Sequence, residues 1–218
     1  MSYMIQFRNH GPLPERAQTP PYILIGINGQ GISKDLPAKI PQTLVFHFIP
    51  KLRIWELPDM SNQSLQAARA SLTEPHAGVN ILENIEVKGF KWIICRVMQL
   101  GGLFQPKENF LVYPGLLTSL SIGKAWLALD LPPAGIEALG MQDLTRLWFG
   151  QPISPSEMEI LWESYPANSV QITSMGGSYL RGISSGHYTN QERARVCAWY
   201  QGAEDREEFF KELDNKLP

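Results

Sequence analysis

Between positions 175 and 195 the chain gathers Gly176, Gly177, Gly182 and Gly186 with Arg181, Ser184, Ser185 and His187, followed by Arg193 and Arg195. Glycine reaches positive φ without steric cost and lets backbone N–H groups come close to a ligand. Arginines and the start of a helix both attract phosphate, the first by charge-assisted hydrogen bonds and the second by unpaired N–H groups. Val170 and Ile172 alternate with Gln171 and Thr173, a period of two that predicts a short strand. Thr189-Asn190-Gln191-Glu192 has the spacing of a capping box, so a helix is expected from Asn190.

The expectation is therefore a strand, a glycine-rich loop at 175–187 and a helix, together spanning 169–201. Gly176, Gly177, Arg181, Ser184, Ser185, His187, Arg193 and Arg195 are its candidate anion or nucleic-acid contacts. Tyr179 and Tyr188 would stack on bases. His187 beside Arg181 and Ser185 would also suit acid–base chemistry on a phosphodiester. The loop is neither G-x-x-x-x-G-K-[ST] nor G-x-G-x-x-G. Glu192 moreover places a carboxylate where a bound anion would sit. The bland alternative is a surface loop that needs glycines for its turns.

Other chemistry is thinly represented. The remaining histidines, His10, His47 and His76, fall in a proline-rich loop, an apolar strand and a turn. No G-x-S-x-G elbow occurs, and no histidine spacing suits a metal. No catalytic residue, cofactor or metal is expected. Cys95 and Cys197 lie far apart in apolar stretches and read as buried free thiols in a reducing cytoplasm. The first sixteen residues lack a basic region followed by an apolar one, so no signal peptide is expected. The longest uncharged run, residues 110–123, is too short for a bilayer, which takes ~20 apolar residues. A net charge of −2 argues against coating nucleic acid nonspecifically. Charged residues make up 18% of the chain, below the usual ~25%, which favours a subunit that buries surface against partners.

The elements that must position these residues read as an α+β fold. A β-rich portion, with a mixed or antiparallel sheet, is expected over residues 1–131. A mostly helical portion is expected over 132–218, the two forming one compact unit. Strands are expected around Tyr3 and Ile5, and at 22–27, 43–49, 51–57, 110–113 and 125–129. Asn28-Gly29 is a hairpin turn signal. Residues 85–98 read as a buried strand or a hairpin turning at Lys88-Gly89, with a helix over 92–100 as the alternative. Helices are expected at 62–72, 133–139, 141–149, and from Pro155 to Tyr165, where Ser154-Pro155-Ser156-Glu157 is a start signal. A last acidic helix is expected from Asp205, with Glu207–Lys211 and Glu212–Lys216 as i, i+4 pairs.

A glycine-rich loop near the C-terminus of an α+β chain resembles the RNA-gripping subunits of bacterial RNA-guided complexes, and it is that loop alone which carries the resemblance. It implies contact with RNA through the loop. Three functional expectations follow. The first is a non-enzymatic adapter in a hetero-oligomeric protein or nucleoprotein assembly. The second is a subunit gripping RNA or single-stranded DNA. The third is a phosphodiester-processing enzyme using His187.

Overall fold

The computed structural model describes Phe7 and residues 11–58, 74–103 and 115–215, without the side chains of Ile136 and Asp214. The strand expected around Tyr3 and Ile5, the helix at 62–72, the strand at 110–113 and Lys216 lie outside the described residues. The architecture is α+β, with a small three-stranded mixed sheet near the N-terminus and a mostly helical remainder. The chain divides into two compact units, Met1–Leu139 and Gly140–Pro218.

In the first unit, β1 (Tyr22–Ile27) is the central strand. It pairs antiparallel with the short β2 (Gln30–Gly31), Gly26 opposite Gly31 and Ile27 opposite Gln30. Asn28 and Gly29 join them with φ of 48° and 80°, the left-handed pair that a two-residue hairpin turn requires. On the other side β3 (His76–Ile81) runs parallel to β1, from Tyr22 opposite His76 to Ile27 opposite Ile81. The Asn80 side chain reaches across to accept the Gly29 N–H at 2.9 Å, tying the turn to β3.

Several expected strands are helical. Residues 43–49 form α1 (Gln42–Phe48) and residues 51–57 mostly a 3-10 helix, Pro50–Trp55. Leu44, Val45, Phe46 and Phe48 are all buried, so neither period shows in the sequence and the apolar run alone cannot choose. Pro41 immediately before α1 and Pro50 at the start of the next helix are placed where a missing N–H costs nothing.

Residues 85–98 are likewise not a hairpin. They belong to α2 (Val87–Leu100), whose Phe90, Ile93, Ile94 and Val97 follow the i, i+3, i+4, i+7 template and are fully buried. Residues 125–128 are the last turn of α3 (Leu116–Ala128). Gly89 is a packing glycine and not a turn: a Cβ there would overlap the Ser121 backbone carbonyl of α3. Its N–H, one of the donors left unpaired at a helix start, is accepted by the Ser121 hydroxyl at 2.9 Å. Trp126 is fully buried, donates its indole N–H to the Pro132 carbonyl, and has Gly135 against its ring.

The helices expected at 133–139 and 141–149 are one, α4 (Pro133–Phe149), which passes through Gly140. A glycine in a helix interior costs roughly 1 kcal/mol relative to alanine and does not stop it. Residues 133–139 belong to the first unit and 140–149 to the second.

The second unit continues with α5 (Pro155–Ser164), α6 (Val170–Ser184), α7 (Asn190–Tyr200) and α8 (Glu204–Asp214). Both capping boxes form as the spacing predicts, Ser154 with Glu157 and Thr189 with Glu192. The last helix starts one residue before Asp205, with Ala203 as its cap, and the Lys211–Glu207 pair forms at 2.9 Å. Phe210 lies at the centre of this unit, stacked on Tyr200 at 4.7 Å and edge-on to Tyr179 and Trp199.

Candidate functional site

The structure replaces the expected strand and glycine-rich loop with α6, capped at its start by the Ser169 hydroxyl on the Ile172 N–H. Ile172, Met175, Gly176, Tyr179 and Gly182 form its buried face. Counted as apolar positions, these glycines complete a helical period that the eye otherwise reads as turns. Gly176 lies where a Cβ would come 2.8 Å from Leu213 and 3.0 Å from Phe209 of α8. A Cβ at Gly182 would overlap the Tyr188 ring. Within α6, Gly177 faces open space. Only Gly186, at φ 67°, acts as a turn glycine, in the short link to α7.

The cations of the expected site are engaged by protein oxygens. Arg181 donates to the Leu147 carbonyl at 2.7 Å, near the C-terminus of α4 where a cation meets unpaired carbonyls. Arg193 reaches the Ile183 carbonyl at the end of α6, at 3.5 Å. Arg195 places its Nε and one terminal nitrogen 3.1 and 3.0 Å from one Glu159 oxygen. Ser185 caps α6 and donates its hydroxyl to the Gly182 carbonyl. Ser184 is the last residue of α6, and His187 is exposed in the link, edge-on to the Tyr188 ring. Arg181 and Ser185 are thus each bonded to a backbone carbonyl.

The start of α7 is filled from within. Glu192 accepts the Thr189 N–H at 2.9 Å and the Thr189 hydroxyl at 2.8 Å. These bonds hold its carboxyl below the usual range, the backbone bond most strongly. A carboxylate therefore sits where a phosphate would bind. The stacking tyrosines are also unavailable to bases: Tyr179 and Tyr188 are buried, and the Tyr188 hydroxyl donates to the Ile153 carbonyl at 2.7 Å. Burial pushes that phenol up. In this unit acidic residues outnumber lysine and arginine by eleven to seven.

A different feature is open to solvent. Met141, Thr145, Trp148 and Phe149 lie at i, i+4, i+7 and i+8 on the outer face of α4, while Leu144 and Leu147 are buried. Exposure is 56% at Met141, 44% at Trp148 and 82% at Phe149. The Trp148 indole N–H is satisfied by the Ser174 hydroxyl of α6 at 2.8 Å, so the ring is held in place with its carbon edge outward. Val170, 56% exposed at the start of α6, extends the face. Its neighbour Gln171 approaches α4 at Gly140, where a Cβ would lie 3.9 Å from the amide nitrogen. Met141, Leu144, Leu147 and Trp148 are the apolar residues that suit a helix over this stretch. With Phe149, these residues cover an arc of about 200° of helix, where burial on one side needs only about 100°.

Among the described residues no group of three or more His, Cys, Asp or Glu side chains could hold a metal ion. Among the same residues no helix is long and apolar enough to cross a membrane. Cys95 is buried, its thiol pushed up to about 11 by desolvation, and Cys197 is half-buried. No protein-family model matches the chain, and no curated protein or solved structure is significantly similar to it.

Proposed function

We propose that the chain is a non-enzymatic interaction subunit, an adapter that docks other proteins within a larger assembly. The observation that carries this reading is the outer face of α4, where two aromatic rings and a methionine are held in solvent. Exposed apolar patches of this kind mark interaction sites, and aromatic side chains with few rotamers dominate binding energy. Trp148 is anchored by Ser174 before any partner arrives, which lowers the ordering cost of binding. The engagement of Arg181, Arg193 and Arg195 by protein oxygens supports this reading over a grip on RNA or single-stranded DNA. Two cysteines without a disulfide suit a reducing compartment such as the cytoplasm.

The test is a pull-down with the tagged chain from its native cell, the lysate split with and without nuclease. The expected result is a protein partner that survives nuclease, is lost with Phe149→Asp, and is kept with Arg193→Ala. Nucleic acid that copurifies and is lost with Arg193→Ala would overturn the reading in favour of a nucleic-acid-binding subunit.

A further inference from the structure

Resting on the reading of the α4 outer face as a docking surface, we infer that its first occupant is the same face of a second copy, paired antiparallel about Thr145. Three observations converge on this.

The first is size. The exposed parts of Met141, Trp148, Phe149 and Val170 leave roughly 450 Å² of apolar surface in solvent, taking an aromatic side chain as about 200 Å². A stable interface buries about 800 Å² per partner, of which about 60% is non-polar. The face holds the apolar share of one such interface.

The second is shape. Met141 lies four residues before Thr145, and Trp148 and Phe149 lie three and four after it. Two such helices crossing antiparallel at Thr145 bring small residues together at the centre. Met141 of one copy then meets the Trp148–Phe149 pair of the other, twice. A thioether against an aromatic edge is a favourable contact. Thr173 and Gly177 of α6, also on an outward face, leave room beside the crossing.

The third is charge. At a two-fold axis every residue near the axis meets its own copy, so any charge there repels itself. Met141, Thr145, Trp148 and Phe149 carry none. The nearest cations are bonded elsewhere, Arg146 to Glu157 at 2.8 Å and Arg181 to the Leu147 carbonyl.

The experiment is light scattering on the purified full chain over a dilution series, with cysteine cross-linking beside it. The expected result is a dimer that Phe149→Asp weakens about 30-fold or more, the scale of a central aromatic hot spot, with the circular dichroism spectrum unchanged. Thr145→Cys should form an intermolecular disulfide under mild oxidation, and Glu204→Cys on α8 should not. A purified chain that stays monomeric at 100-fold the working concentration overturns the inference. So does a dimer indifferent to Phe149→Asp, or one that cross-links equally from both positions. A monomer that still loses its protein partner with Phe149→Asp overturns self-pairing and leaves the adapter reading standing. A dimer with no other partner does the reverse.

Discussion

In α3, Leu116, Leu120, Ile122, Ala125 and Trp126 are all buried, and the exposed Leu117 and Leu127 stand ten residues apart. In residues 140–149 of α4 the buried apolar side chains are Leu144 and Leu147 alone, and Met141, Trp148 and Phe149 form one exposed arc. Both stretches are too apolar for a helix with one buried side. What separates them is what approaches. In the first unit Gly89 lets the backbone of α2 close on α3, and Gly135 accepts the Trp126 ring. Along the outer face of the second unit nothing comes near Gly177. An apolar helix is covered inside its own unit where small residues admit a neighbour; elsewhere its surplus stays in solvent.

The contrast is broken most strongly at its buried end. Trp126→Ala should destabilise the protein by about 4 kcal/mol, from the lost ring and the cavity it leaves. Phe149→Ala, compared at protein concentrations low enough to keep the chain monomeric, should change stability by less than about 0.5 kcal/mol, as for a surface residue. Urea midpoints of the two variants decide it, and equal losses would mean that α4 packs both faces. Gly89→Ala comes next, at about 3 kcal/mol, because the added Cβ meets a backbone carbonyl that can move only with its helix. A loss under 1 kcal/mol would show that α2 and α3 do not depend on that approach.

Two glycines of α6 sharpen the comparison within one helix. Gly182→Ala should cost about 2 kcal/mol against the Tyr188 ring, while Gly177→Ala should stabilise by up to about 1 kcal/mol through helix propensity. Loss of stability at Gly177 would return residues 175–184 to a loop with positive φ. The smallest expected effect concerns pH. Because the Glu192 carboxyl is held below its unfolded value of about 4.5, its contribution is complete above that value. It is lost as pH falls through the lower, folded value. The thermal-midpoint difference between wild type and Glu192→Gln should therefore shrink between pH 7 and pH 3; a difference constant over that range would remove the carboxylate from the cap.

Legibility followed the range of the deciding interaction. Asn28-Gly29, Ser154 with Glu157 and Thr189 with Glu192 read correctly because each motif satisfies its own backbone within four residues. The i, i+4 pair of Glu207 and Lys211 is local in the same sense. Residues 43–49 were misread because every apolar side chain in them is buried, and complete burial erases the period that separates strand from helix. The strand and loop expected at 169–187 give way to a helix for a related cause. Its glycines were read for what glycine permits in a turn, whereas Gly176 and Gly182 are set by Leu213, Phe209 and Tyr188, which arrive from six to thirty-seven residues further along the chain.

By itself, then, the sequence determined the α+β class, the hairpin turn and the two helix starts capped by Ser154 and Thr189, since each depends on backbone groups and side chains close together in the chain. Tertiary structure alone decided that the glycine-rich stretch is a packed helix, that its arginines bond to protein oxygens, and that Trp148 and Phe149 face solvent beside the buried Leu147. Those outcomes depend on which distant residues come near, and no local pattern of residue types carries that information.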